Sequence, residues 1–117
     1  MLVTSSVRAE PSAVYHTVVF WLKPDTPTTA VNEIVRSVKG LEDLDMVDQV
    51  FVGKPIPSDR EVVDDSFSLA FTMTFKDEAA LLAYNKDPQH KKSSENTLKY
   101  VLRGVIYDYK LETDSDD

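Results

Sequence analysis

The stretch Ser66–Lys76, SFSLAFTMTFK, alternates without a break: Phe67, Leu69, Phe71, Met73 and Phe75 fall on one side, Ser68, Ala70, Thr72 and Thr74 on the other. A period of two over that length is the pattern of a strand, because successive side chains leave a pleated chain on opposite faces. The aromatic row is expected to enter a core. The small, partly polar row suits the floor of a cavity or a close helix contact.

Working outward, Val14–Leu22, VYHTVVFWL, is rich in β-branched and aromatic residues and runs into Lys23-Pro24-Asp25, a strand entering a turn. His16 shares one face with Val18, Phe20 and Leu22, while Tyr15, Thr17, Val19 and Trp21 share the other. Both faces look covered, so this strand needs partners on two sides. Thr26-Pro27-Thr28-Thr29 then supplies N-cap and first-turn residues, and Val31, Ile34, Val35, Val38 and Leu41 recur at helical spacing up to and just past Gly40. Met46–Lys54 reads as a second strand. Lys54–Asp65 reads as a long polar loop, a candidate lid over whatever site the chain carries.

Downstream of the central stretch, Asp77 is placed to cap a helix running to about Lys86, with Ala79, Leu82 and Ala83 expected to face inward and Asp87-Pro88 expected to end it. A more polar helix over Gln89–Tyr100 would carry Leu98 and Val101 toward the core. Arg103–Leu111 closes the chain as a strand in which Val105, Tyr107, Tyr109 and Leu111 alternate with Ile106, Asp108 and Lys110. The order β-α-β-β-α-(α)-β is that of an α+β, ferredoxin-like sandwich, with antiparallel strands and helices on one face. Helices on one face leave the apolar opposite face to water. A homodimer pairing two sheets face to face removes that exposure.

At 117 residues the chain fits one domain, expected over residues 14–111, with mobile tails at 1–13 and 112–117. Its net charge of −7 and lack of a long Lys/Arg cluster argue against a nucleic-acid partner. No apolar run approaches the roughly 20 residues of a membrane span, and the first residues lack the apolar middle of a signal peptide. With no cysteine the chain suits a reducing compartment, and a cytoplasmic location is expected. Two histidines, no cysteine and three glycines supply neither a zinc site nor a phosphate loop, so no metal or cofactor is expected. The acidic runs, such as Asp43, Asp45 and Asp48, lack calcium-loop spacing and read as solvated surface.

The chemistry-bearing stretch is Asp77–Lys92, DEAALLAYNKDPQHKK, where Tyr84 and His90 lie on either side of the break at Asp87-Pro88. A turn there brings a phenol and an imidazole together. A neutral imidazole takes a proton at physiological pH, and a phenol stays protonated and donates to a developing enolate. The alternative reading has His90 bracing the helix junction and Tyr84 packing with its hydroxyl satisfied; likewise, His16 on an apolar face is commonly a hydrogen-bonded core residue.

Taken in order, HTVVFWLKPDT from His16, Val52-Gly53-Lys54, Phe75-Lys76-Asp77-Glu78-Ala79, the Tyr84–His90 run YNKDPQH, and Tyr107-Asp108-Tyr109 resemble the stress-responsive A/B barrel, or dimeric α/β-barrel, family over Val14–Leu111. The resemblance implies a dimer whose two sheets form a barrel, with a pocket in each subunit between sheet and helices. In the polyketide-cyclase branch of that family the Tyr and His of the Tyr-x5-His run are the catalytic pair, here Tyr84 and His90, and the first-strand histidine that lines the pocket corresponds to His16. Cyclase-type members carry a third-strand histidine and a first-helix tyrosine where this chain has Leu69 and Val38. The same substrate is therefore not implied. The expected ligand is an apolar or aromatic small molecule bounded by His16, Val18, Phe20, Val38, Leu69 and Phe71, with cyclase-like or lyase-like acid–base chemistry. A non-catalytic stress protein working through its dimer or assembly surface is the alternative.

Overall fold

A computed structural model describes residues 12–113, in the order β1 (Val14–Leu22), α1 (Thr28–Gly40), β2 (Gln49–Gly53), β3 (Leu69–Phe75), α2 (Glu78–Lys86), α3 (Pro88–Leu98) and β4 (Val101–Lys110). The four strands form one antiparallel sheet in the order β2-β3-β1-β4. This is the ferredoxin-like α+β architecture that the alternation implied. Residues 1–11 and 114–117 of the two expected tails lie outside the described residues. Ala13 is no longer tail: its N–H reaches Phe75 O at 3.1 Å and its carbonyl accepts from Leu111 N at 2.8 Å.

Register decides what each face carries. Val14, His16 and Val18 of β1 pair with Phe75, Met73 and Phe71 of β3 on one side, and Val50 and Val52 of β2 join that row. Helix α1 lays Ala30, Ile34 and Val38 on it, and Leu41, Val47 and Tyr84 complete the buried cluster. Each such side chain taken from water stabilises by about 1.5–3 kcal/mol, which is why this row and not the small one took the helices.

Several details differ from the sequence reading. The Ala70, Thr72 and Thr74 row lies on the face away from the helices, where Thr17 and Thr72 hydroxyls bond at 3.0 Å, so it does not floor the space under the helices; Ala70 and Thr72 instead line a shallow groove with Phe51 and Phe67. On α2 the inward residues are Ala80, Leu81 and Tyr84, while Ala79, Leu82 and Ala83 are exposed. Tyr84 sets that phase, since the positions three and four residues before it share its side of a helix. On α3, Leu98 is 55% exposed and Thr97 is buried in its place. Pro27 sits at the α1 N-cap with no side-chain cap bond, and Thr26 Oγ1 instead donates to Lys23 O at 2.7 Å.

The helix-free face keeps a broad apolar surface: Phe51, Tyr107 and Tyr109 are exposed, and Tyr109 stacks on Tyr15 with ring centroids 5.6 Å apart.

Candidate functional site: an apolar cavity with three polar atoms

Two aspartates build the junction on which the site rests. The Asp77 carboxylate accepts from Ala80 N at 2.9 Å and starts α2. Asp87 ends α2 and starts α3, accepting from Gln89 N at 2.8 Å and His90 N at 3.2 Å, with Pro88 in the first helical turn, where its missing N–H costs nothing. The break turns the chain back so that the Tyr84 and His90 rings stack, centroids 4.0 Å apart and planes 27° from parallel. His90 Nδ1 lies 3.1 Å from Tyr84 O and donates to it, which leaves Nε2 as the basic nitrogen.

His16 reaches the same place from β1, its ring 5.8 Å from that of Tyr84. Opposite it on β4 stands Asp108, its register partner, with a carboxylate oxygen 2.5 Å from His16 Nδ1. The carboxylate accepts from Nδ1–H and orients the ring, turning Nε2 away from the strand pair.

The three side chains share a cavity of about 270 Å³ between sheet and helices, whose walls include Val18, Phe20, Val38, Phe71, Leu98 and Ile106. Among the described residues no buried side-chain nitrogen or oxygen lacks a hydrogen-bond partner. Among the described residues His16 and His90 each use Nδ1 in a hydrogen bond, which leaves Nε2 unengaged, and both rings line the open volume together with Tyr84. A largely apolar chamber with a few polar side chains in its walls is the ordinary form of a small-molecule site. Burial, and behind it the nearby Asp87 carboxylate, raises the Tyr84 hydroxyl pKa far above its usual value, so it remains a donor. Burial lowers the His90 pKa below the usual histidine value, outweighing its bond to Tyr84 O, and keeps the ring neutral and able to accept a proton.

Of the residues expected around the ligand, His16, Val18, Phe20, Val38 and Phe71 line this cavity together with Tyr84 and His90; Leu69 is buried in the core and does not. No residue of the Lys54–Asp65 loop lines it, and its cover is α3, through His90, Ser93, Ser94, Thr97 and Leu98. Asp108 was overlooked as a site residue. Its signal was parity, since it stands on the same row of β4 as Ile106, and a carboxylate inside an alternating strand asks for a partner. No group of three or more His, Cys, Asp or Glu suited to a metal occurs among the described residues. None of their helices is long and apolar enough to cross a membrane.

The sequence matches the family model described as "Stress responsive A/B Barrel Domain" over residues 14–111. No curated protein matches the chain. Solved structures do. A protein from Arabidopsis thaliana is 19% identical with a TM-score of 0.77, covering 87% of this chain and 98% of its own. A hydroxynitrile lyase from Passiflora edulis is 18% identical with a TM-score of 0.77, covering 91% of this chain and 99% of its own. A dimeric ferredoxin-like protein from Jannaschia sp. is 25% identical with a TM-score of 0.65, covering 86% of this chain and 98% of its own.

Proposed function

The chain belongs to the stress-responsive A/B barrel family, and from that premise we propose that it is a homodimer whose cavity binds a small apolar or aromatic carbonyl compound and moves a proton on it. Tyr84 donates to the carbonyl oxygen, and the neutral His90 imidazole takes the proton from the adjacent carbon. The C–H electron pair passes into the enolate, whose growing negative charge strengthens the Tyr84 hydrogen bond. The proton on His90 is then available to the product. Cyclase-like ring closure begins with a step of this kind; in the lyase-like form the same imidazole instead takes the hydroxyl proton of an adduct, the bond to the leaving carbon breaks with its electron pair as the carbonyl forms, and the proton passes to the leaving group. The hydroxynitrile lyase with the same fold lends support to the lyase-like form.

The observation that carries the reading is that the Tyr84, His90 and His16 side chains line one largely apolar cavity. His16, oriented by Asp108, supplies a second base on the β1 side, so one imidazole can take the proton while the other guides its return. Support for the homodimer comes from the apolar helix-free face and from a dimeric neighbour of the same fold. A reducing, cytoplasmic setting fits the cysteine-free chain. The exposed Phe51, Tyr107 and Tyr109 also favour a second reading, a non-catalytic stress protein acting through the surface that pairs its subunits.

The test is exchange of the methyl protons of acetophenone in deuterated buffer, followed by proton NMR. The wild type is expected to speed exchange, with a fall of about 100-fold or more in Tyr84→Phe and His90→Ala, the usual worth of a positioned acid or base. Exchange no faster than buffer in the wild type, or unchanged in both variants, contradicts the proton-transfer reading.

A further inference from the structure

Helix α3 covers the cavity, yet little apolar surface holds it down. Of its eleven residues, PQHKKSSENTL, only Thr97 is buried. Surface grooves of about 460 and 260 Å³ flank it along α1, the first sharing Thr97 with the cavity wall, the second sharing Leu41 and Ser93. Both ends are tethered. Asp87 and the His90–Tyr84 O bond fix the first turn, and at the far end Lys23 N donates to Tyr100 O at 2.9 Å while Lys23 Nζ donates to Lys99 O at 2.9 Å. Between these ends the side-chain hydrogen bond from α3 to α1 is Ser37 Oγ to Ser93 Oγ, 2.6 Å.

We infer that Ser37 and Ser93 form a positioning latch: their hydrogen bond holds the middle of α3 across the cavity, and its breaking lets Ser93–Leu98 lift and admit the ligand. Because Ser93 and Leu41 border both the cavity and the neighbouring groove, the latch is the partition between them. A polar wall suits this task. Few apolar side chains of α3 itself leave a packed setting when it opens, and a ligand entering the cavity covers the walls again, whereas lifting α1 would pull Ala30, Ile34 and Val38 out of the core. His90, one turn before Ser93 and tied to Tyr84, and the far end held by Lys23 stay in place while the segment between them bows outward. This inference rests on the packing of α3 and is independent of whether the site transfers a proton.

The absence of cysteine allows a direct test. The two hydroxyls touch at 2.6 Å, so cysteines in their places face one another, and the Ser37→Cys/Ser93→Cys double variant is designed to be locked by oxidation and released by reduction. In the wild type, amide hydrogen exchange followed by mass spectrometry is expected to run at least about tenfold faster over Ser93–Leu98 than over Ile34–Val38. Oxidation should remove that gap and slow entry of the apolar dye 1-anilinonaphthalene-8-sulfonate by about tenfold, with reduction reversing both. Ser37→Ala should speed α3 exchange about fivefold, the worth of one ordinary hydrogen bond, and Ser37→Thr should keep it near wild type. Wild-type α3 protected as well as α1, exchange unaltered by oxidation, or a dye that enters locked and open forms alike or binds neither would overturn the latch. Loss of ketone exchange with these results intact would instead count against the proton-transfer reading alone.

Discussion

Helices α1 and α3 lie over the same face of the same sheet and are held there by opposite means. α1 presents Ala30, Ile34 and Val38 to the sheet, with Val31 and Val35 partly buried beside them. α3 presents His90, Ser93, Ser94, Thr97 and Leu98, and beneath it lies the cavity. Helix α1, packed by aliphatic side chains, gives the cavity only an apolar wall at Val38. A helix packed by small polar ones leaves room and the groups to handle a guest. The difference makes α1 the better anchored of the two and α3 the cover of the proposed site.

The comparison breaks most readily under truncation. Ile34→Ala in α1 is expected to cost about 2–5 kcal/mol in urea denaturation, the usual range for removing a buried aliphatic side chain. A loss below about 1 kcal/mol would mean that α1 is no better anchored than its neighbour. Next in size is the shared cap: Asp87→Ala removes an acceptor for two N–H groups at the start of α3 and should cost about 1 kcal/mol, read by the same denaturation. The pH response is smaller and its sign is fixed. The folded His90 pKa lies below the unfolded value, so the unfolded state binds more protons between the two. Its contribution is fully present above about pH 6.5, where an unperturbed histidine titrates, and is lost as pH falls through the depressed folded value. The melting temperature of the wild type should therefore drop more between pH 7.5 and 5.5 than that of His90→Gln; equal drops would show that burial does not disfavour the charged ring. Least of all, Leu98→Ala at the exposed end of α3 should change stability by no more than about 0.5 kcal/mol, and a loss comparable to that of Ile34→Ala would erase the contrast.

Much of the frame was legible in the chain because it is local. The alternation of SFSLAFTMTFK, the spacing of Ile34 and Val38, and the Asp77 and Asp87-Pro88 punctuation each depend on a few neighbouring residues. The Tyr84 and His90 pair was legible for the same reason, the two positions spanning one break. What escaped depends on tertiary contact. The His16–Asp108 pair joins residues 92 apart through strand register, which nothing near either residue specifies. The phase of α2 was misread because its alanines fit either side until Tyr84 is buried. The small row of β3 was assigned to a cavity floor, while the competition between faces went to the row with more apolar area to bury. Leu98 was expected in the core by hydrophobicity alone, and the cavity under α3 leaves it half outside.

Both forms of the proposed chemistry need the Tyr84–His90 stack to open onto the cavity with a neutral, Nδ1-protonated imidazole whose Nε2 is free for a ligand. Long-range ¹H–¹⁵N NMR of the histidine side chains at pH 7.5, with and without acetophenone, measures this directly. The expected result is the Nδ1–H tautomer at His90 and a ligand-dependent shift of its Nε2. An Nε2–H tautomer, or a His90 spectrum indifferent to the ketone, would contradict it.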